Sequence, residues 1–190
     1  MMTQSLDYFH FLHSTDPEKA EVIQSLFQSK KVKKNTYLLS KGQICKDNFI
    51  IVKGVAKKYF NFADKEVTTD IYLSGDIAFS FDSFTYQTKS TESIVAVTDL
   101  ELLYITYEDY FGAKSKYPWF GEYDSIFMEQ YIIQLENKMK DLATLNAAQR
   151  YEKIVNHHPQ LLQEVPLKII ASFLNVSVER LSRIRAKIQL

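Results

Sequence analysis

Near the C-terminus, apolar residues recur twice with the period of a helix. Leu167, Ile170, Ala171 and Leu174 form one set, and Leu181, Ile184 and Ile188 form the next. Both fit a 3.6-residue repeat. Asn175-Val176-Ser177 interrupts the pattern between them. Asn tolerates the left-handed backbone of a tight turn, and Ser177 suits the N-cap of the following helix. Pro166 marks the entry to the first helix. Two short helices joined by about three residues predict a helix-turn-helix. Ala171 falls where they cross, and its small side chain permits close approach.

Upstream the pattern is different. From Tyr37 to Ile105, short β-prone runs recur at 37–40, 49–53, 55–62, 66–73, 77–81, 93–97 and 102–105, separated by Gly42, Gly54, Gly75 and by Asn or Asp. Many short strands at this spacing predict a double-layered β-roll of the jelly-roll kind. Ala63-Asp64-Lys65 reads as a hairpin tip. Ahead of the strands, Asp16 and Pro17 open a helix as cap and first turn, with Val22, Ile23, Leu26 and Phe27 on its apolar face. Lys30, Lys31, Lys33 and Lys34 then read as solvated surface leading into the roll. Residues 5–13 mix aromatics and His without a clear period.

Beyond Pro118 the pattern becomes helical again. Met128, Ile132, Leu135, Met139 and Leu142 repeat at 4-3-4-3 spacing. That is a coiled-coil seam on a long helix, and it predicts a homodimer. The plainer alternative is a helix packed on its own domain. Glu136, Lys138, Lys140 and Asp141 lie off the seam. A further helix runs from about Ala147 to Val155, and His157-His158-Pro159 ends it. The expected class is therefore α+β: a jelly roll flanked by helices, a long dimerisation helix and a C-terminal helical domain. The division expected is 1–117 for the roll, 118–145 for the long helix and 146–190 for the helix-turn-helix.

Composition adds one decisive asymmetry. The 190 residues have a formal net charge of zero, yet residues 147–190 hold seven Lys/Arg against three Asp/Glu. Most of that excess lies on the last helix, in Arg180, Arg183, Arg185 and Lys187, which is the charge footprint of a DNA-reading helix. Cys45 is the single cysteine. It excludes an intrachain disulfide and an iron–sulfur cluster, which needs about four thiolates. No stretch approaches the ~18 apolar residues of a membrane span, and the N-terminus lacks a charged lead followed by an apolar run. A cytoplasmic protein without membrane association is expected.

The β-roll, seam helix and helix-turn-helix, in that order, resemble the Crp/Fnr family of bacterial transcription regulators. The stretch from Gly42 to Gly54 (Gly-Gln-Ile-Cys-Lys-Asp-Asn-Phe-Ile-Ile-Val-Lys-Gly) is similar to the family's first glycine-to-glycine segment. Ser74-Gly75-Asp76 is similar to the turn before its phosphate cassette, and Leu181-Ser182-Arg183-Ile184-Arg185 to its recognition helix. The resemblance covers nearly the whole chain. It implies DNA reading by the first exposed positions after the cap. Val178 stands where the cyclic-AMP receptor has Arg and could touch a thymine methyl. Glu179 matches the family's Glu and could accept from cytosine N4. Arg183 matches its Arg and could pair with guanine O6 and N7. Lys168, Ser177, Arg180, Arg185 and Lys187 are candidates for phosphate contacts, which position the helix without selecting sequence. Many members add a β-hairpin wing after this helix. Here the sequence stops at Leu190, so a full wing is not expected and dimerisation gains weight. Two such helices would sit about 34 Å apart on a near-palindromic site.

The departures fall in the sensor. The family's ribose-binding Glu, phosphate-binding Arg and following Ser correspond to Ser80, Ser90 and Thr91. Its adenine-touching Thr and Ser on the long helix correspond to Leu135 and Glu136. A phosphate buried without a guanidinium is costly, because its desolvation goes uncompensated. Cyclic AMP is therefore not expected to bind in the usual mode. Phe79, Phe81, Phe84 and Tyr86 crowd the same stretch. These rings could fill the roll or line an apolar effector pocket. An unidentified anion could instead use Lys89 or a backbone nest.

The four His are His10, His13, His157 and His158. None lies in the roll, so neither haem nor a cupin-type metal centre is expected. No metal ligand set, nucleophile–base constellation or phosphate-binding Gly loop is evident, and no enzyme is expected. The leading reading is a homodimeric, sequence-specific regulator. Its partners would be duplex DNA, a second copy of itself, RNA polymerase by the resemblance, and an unidentified small-molecule effector if one exists. The alternative is an effector-binding signalling module whose C-terminal helices contact protein.

Overall fold

The computed structural model describes residues 16–188. The expectations for residues 5–13, His10, His13 and the end of the chain lie outside them. The chain divides into two compact units, with the boundary between Lys116 and Tyr117.

The first described element of the first unit is α1 (Pro17–Leu26), where Asp16 accepts the Lys19 amide at 3.2 Å. Eight strands follow: β1 (Gln28–Val32), β2 (Tyr37–Leu39), β3 (Asp47–Lys53), β4 (Ala56–Phe62), β5 (Lys65–Tyr72), β6 (Ile77–Ala78), β7 (Ser93–Ala96) and β8 (Leu100–Thr106). They pair antiparallel in two four-stranded sheets, ordered β1-β8-β3-β6 and β2-β7-β4-β5. The sheets enclose one core of Leu39, Phe49, Ile51, Ile94, Leu100 and Leu102 with their neighbours. This is the expected jelly-roll-like sandwich.

Local chemistry fixes its corners. Ala63 and Asp64 both have positive φ, 47° and 61°. They form the two-residue tip that matches the twist of the β4–β5 hairpin. At Gly54, φ is +94°, and a Cβ would stand 2.3 Å from the Asp99 carbonyl oxygen. Only glycine fits there.

Three elements depart from the sequence reading. The strand expected at 77–81 ends at Ala78, and the chain turns into helix α2 (Phe81–Tyr86). Asp82 accepts the Ser83 amide at 2.7 Å, and Phe84 enters the core. Of the crowded rings only Phe84 is fully buried. Phe81 and Tyr86 are exposed, so neither fills the roll. Second, the lysine run belongs partly to β1. It is an edge strand whose Lys30 and Lys31 stay in solvent while the backbone pairs with β8. Lysine on an edge also discourages pairing with other chains. Third, α3 (Tyr107–Lys116) follows β8 directly. Thr106 accepts the Asp109 amide and donates to its carboxylate, a reciprocal cap. Tyr107, Tyr110 and Phe111 then pack on Phe84. Their i, i+3, i+4 spacing was readable but was masked by the aromatic, β-like composition.

The second unit is helical: α4 (Pro118–Thr144), α5 (Ala147–His157), α6 (Leu161–Glu164), α7 (Leu167–Phe173) and α8 (Val178–Ile188). Asn146 and Gln149 form a full capping box on α5. Tyr151, Ile154, Leu161, Ile170, Ala171, Leu174 and Leu181 are all buried.

Candidate nucleic-acid interface and sensor interior

The helix-turn-helix is built as its sequence dictates. α7 ends at Phe173, and Asn175 takes a left-handed φ of 54°. The Val176 amide returns to the Ala171 carbonyl at 3.0 Å, and the Arg180 amide donates to Ser177 Oγ at 3.2 Å. Ala171 and Leu181 are 1% and 0% exposed, so the two helices meet there without a gap. Arg150 braces the turn from α5. Its guanidinium donates to the Leu145 carbonyl at 2.6 Å and to the Leu174 carbonyl at 3.0 Å, satisfying the ends of two helices. Two further contacts tie α4 to this bundle. Lys153 donates to both oxygens of Asp141 at 2.7 and 2.6 Å, and Lys138 lies over the Phe173 ring at 5.7 Å.

With Leu181 inward and Ile184 and Ile188 half-buried, the opposite face of α8 is open. It carries Glu179, Ser182, Arg183 and Lys187, with Val178 and Arg180 beside them. A helical face with this mix can present an acceptor and a fork of donors to base edges. The Glu179 carboxyl is held below its ordinary value by its own amide, the Ser177 hydroxyl and the Arg183 charge. It stays an ionised acceptor. Lys168 and Ser177 are exposed beside this face, whereas Arg185 is half-buried. Ser177 also caps the helix, so one of its oxygen lone pairs is committed.

On α4, Ile132, Leu135, Met139 and Leu142 are exposed at 59%, 39%, 70% and 55%. Met128, the first residue of the expected seam, is half-buried. Ile133 is also exposed, although it lies off that repeat.

The sensor interior brings together only part of the expected pocket. Ser80 and Ser90 are both buried, with their hydroxyls 3.1 Å apart. Lys89 and Thr91 lie at the surface, Phe79 packs partly buried against the core, and Leu135 belongs to the second unit. A cavity lined by Leu38, Gln43, Ile44, Cys45, Lys46 and Phe49 among others includes none of these residues.

What surrounds the two serines was not anticipated. Ser80 Oγ is 3.0 Å from Asp82 and 3.0 Å from Glu92. Glu92 is 3.7 Å from the Lys58 ammonium, which also sits 3.3 Å from Asp70. The signal for this cluster was Lys57-Lys58 inside a β-prone run. Alternation forces one of two adjacent lysines inward, where it needs a carboxylate. In the structure Lys57 pairs with Glu66 and Lys58 with Asp70 and Glu92.

The chain shares its fold with solved structures of Crp/Fnr-type regulators. Residues 29–116 match the cyclic nucleotide-binding domain family. Solved structures share the fold across nearly the whole chain. A protein from Eubacterium rectale assigned to the Crp/Fnr family aligns at a TM-score of 0.72 and 16% identity, covering 96% of this chain and 88% of that one. The c-di-GMP responsive global regulator CLP of Xanthomonas campestris aligns at 0.69 and 16%, covering 92% of each. The catabolite activator protein of Thermus thermophilus aligns at 0.57 and 19%, covering 94% and 85%. No curated protein matches the chain in sequence.

The expectation that cyclic AMP is not held in the family's usual way concerns Ser80, Ser90 and the groups around them. Such a site needs an acceptor for the ribose and a cation free for the phosphate. Here the corresponding positions are two serines engaged with each other, and the adjacent cation, Lys58, already faces two carboxylates. Among the described residues no group of three or more His, Cys, Asp or Glu could hold a metal. No described helix is long and apolar enough to cross a membrane.

Proposed function

We propose that the chain is a homodimeric, sequence-specific DNA-binding regulator whose sensor does not take cyclic AMP in the usual mode, and that it is not an enzyme. The observation that carries this reading is the open face of α8. A capped, basic helix presents Glu179 and Arg183 outward from a fully packed helix-turn-helix. Arg183 would read guanine, Glu179 would accept from cytosine and Val178 would contact a thymine methyl. Exposed Lys168, Arg180 and Lys187 would contact phosphates, and Arg185 less readily because it is half-buried. Two helices are needed for useful affinity. The uncovered Ile132, Leu135, Met139 and Leu142 on α4 suit pairing with a second copy. RNA polymerase and a small-molecule effector remain partners of this reading without a surface assigned to them.

The test is selection of bound fragments from genomic DNA by the purified chain, beside its mass in solution. A dimer that enriches a near-palindromic site, with no change on adding cyclic AMP, is the expected result. A monomer that enriches nothing at modest salt would overturn the reading.

A further inference from the structure

We propose that Glu92 is an internal latch, a carboxylate of the protein's own that holds helix α2 against the roll and makes its position independent of any bound nucleotide. The geometry is specific. Ser80 ends the β6 corner and precedes Phe81, the first residue of α2, and it is 0% exposed. Its hydroxyl has one proton and two carboxylates within reach, Asp82 on α2 and Glu92 just before β7, each at 3.0 Å. Ser90 closes the other side. It lies 3.1 Å from Ser80, and its oxygen also accepts the Glu92 amide at 3.0 Å. Glu92 is therefore held at both its backbone and its side chain.

The charge balance favours this arrangement. The Lys58 side chain is 10% exposed and faces Asp70 on β5 at 3.3 Å and Glu92 at 3.7 Å. A buried ammonium facing half-buried carboxylates does not make the fold stronger than an apolar pair would. They do make one arrangement strongly preferred, because separating them leaves a buried charge uncompensated. Four elements thus converge on one point: β4 with Lys58, β5 with Asp70, the start of α2 with Ser80, and the β7 entry with Ser90 and Glu92.

The position of α2 matters beyond itself. Its Phe84 amide donates to the Ser80 carbonyl at 2.8 Å. The Phe84 ring then meets Tyr107, Tyr110 and Phe111 of α3 with centroids 5.6, 5.6 and 6.2 Å away. The start of this helix is held by groups of the chain itself.

Amide hydrogen exchange on the intact chain tests the latch. With Glu92→Ala, amides 84–86 should exchange about tenfold faster or more, while those of β3 and β8 keep their rates. Glu92→Gln retains an acceptor for Ser80 but loses the charge facing Lys58, and should give a smaller acceleration confined to the same amides. Excess cyclic AMP should leave the wild-type rates unchanged. Unchanged α2 exchange in a folded Glu92→Ala chain would overturn the proposal, as would slowing of α2 by cyclic AMP. If Glu92→Ala does not fold, Glu92→Gln decides: selective loosening of α2 supports the latch, while no change or an even loosening of the whole roll defeats it. None of these readouts involves DNA, so failure here is separate from failure of the DNA-binding reading.

Discussion

Two acidic residues, one in each unit, are shifted in opposite directions. Asp76, in the turn after β5, has its carboxyl pushed up to about 6, chiefly by burial. Glu179, at the start of α8, is held below its ordinary value by its own amide, the Ser177 hydroxyl and Arg183, and lies in solvent. The contrast extends to their surroundings. In the roll, Lys57, Lys58, Ser80, Ser90 and Ser93 are all buried and turned toward protein partners. On α8, Glu179, Arg180, Ser182, Arg183 and Lys187 all face outward. These buried groups of the roll are turned toward the protein, while the polar groups on this face of α8 stay in solvent. Under the proposed reading, a roll interior closed on its own charges and an exposed face of α8 would put DNA contact on the C-terminal helices.

The strongest way to break this contrast is to remove what holds the open face in place. Leu181 is 0% exposed and is the point at which α8 is anchored. Leu181→Ala should destabilise the second unit by about 2–5 kcal/mol, because it removes transfer energy and leaves a cavity. DNA binding should disappear while the roll keeps its own unfolding transition. Calorimetry that shows both units losing stability together would mean that they are not energetically separable.

Arg183→Ala sharpens the contrast without disturbing the fold. The side chain is exposed, so melting should hardly move. Affinity for the preferred site should fall by about 1–3 kcal/mol and selectivity should relax at one base pair. A competition assay over single-base variants reads this directly. Equal loss on every sequence would reassign Arg183 to a phosphate.

The two regions were also unequally legible. The helix-turn-helix could be read almost residue by residue, since cap, turn and period are local signals: Ser177 caps, Asn175 is left-handed and Leu181 is buried. The strands were legible in number and order, because alternation and glycine spacing survive without knowledge of partners. What the sequence hid were elements decided by long-range pairing. β1 looks like a soluble lysine run until β8 is laid beside it. α3 looks β-prone until Phe84 offers its rings a surface. In the sensor interior, Ser80 and Ser90 were identified as departures from the family. Their partners, Lys58, Asp70 and Glu92, were not: Asp70 faces Lys58 only once the β4–β5 register is set, and Glu92 reaches it from the entry to β7, far along the chain. Nothing local reports such a meeting.

The smallest expected effect tests the closed region through pH. Asp76 accepts the Leu73 amide at 2.7 Å, a bond that favours its charged form, yet burial outweighs it and nearby Asp70 adds to the upward shift. The folded state therefore holds this proton more tightly than the unfolded chain does. Between about pH 4, where an unfolded Asp titrates, and about pH 6, the folded value, the native state carries the excess proton. Its stability from this group must fall as pH rises through that window. Asp76→Asn keeps an acceptor for Leu73 and has no charge to bury. Below about pH 4 the variant and the parent should differ by a constant amount. From there to neutrality the variant should gain roughly 1–2 kcal/mol on the parent, somewhat under the full 1.36 kcal/mol per pK unit because a buried site relaxes around its charge. Urea unfolding of both chains across this range isolates the group, since every other carboxylate is common to them. A difference that stays flat with pH would show that Asp76 is solvated in the folded chain, and the roll would then be less closed than the burial of Ser80, Ser90 and Lys58 requires.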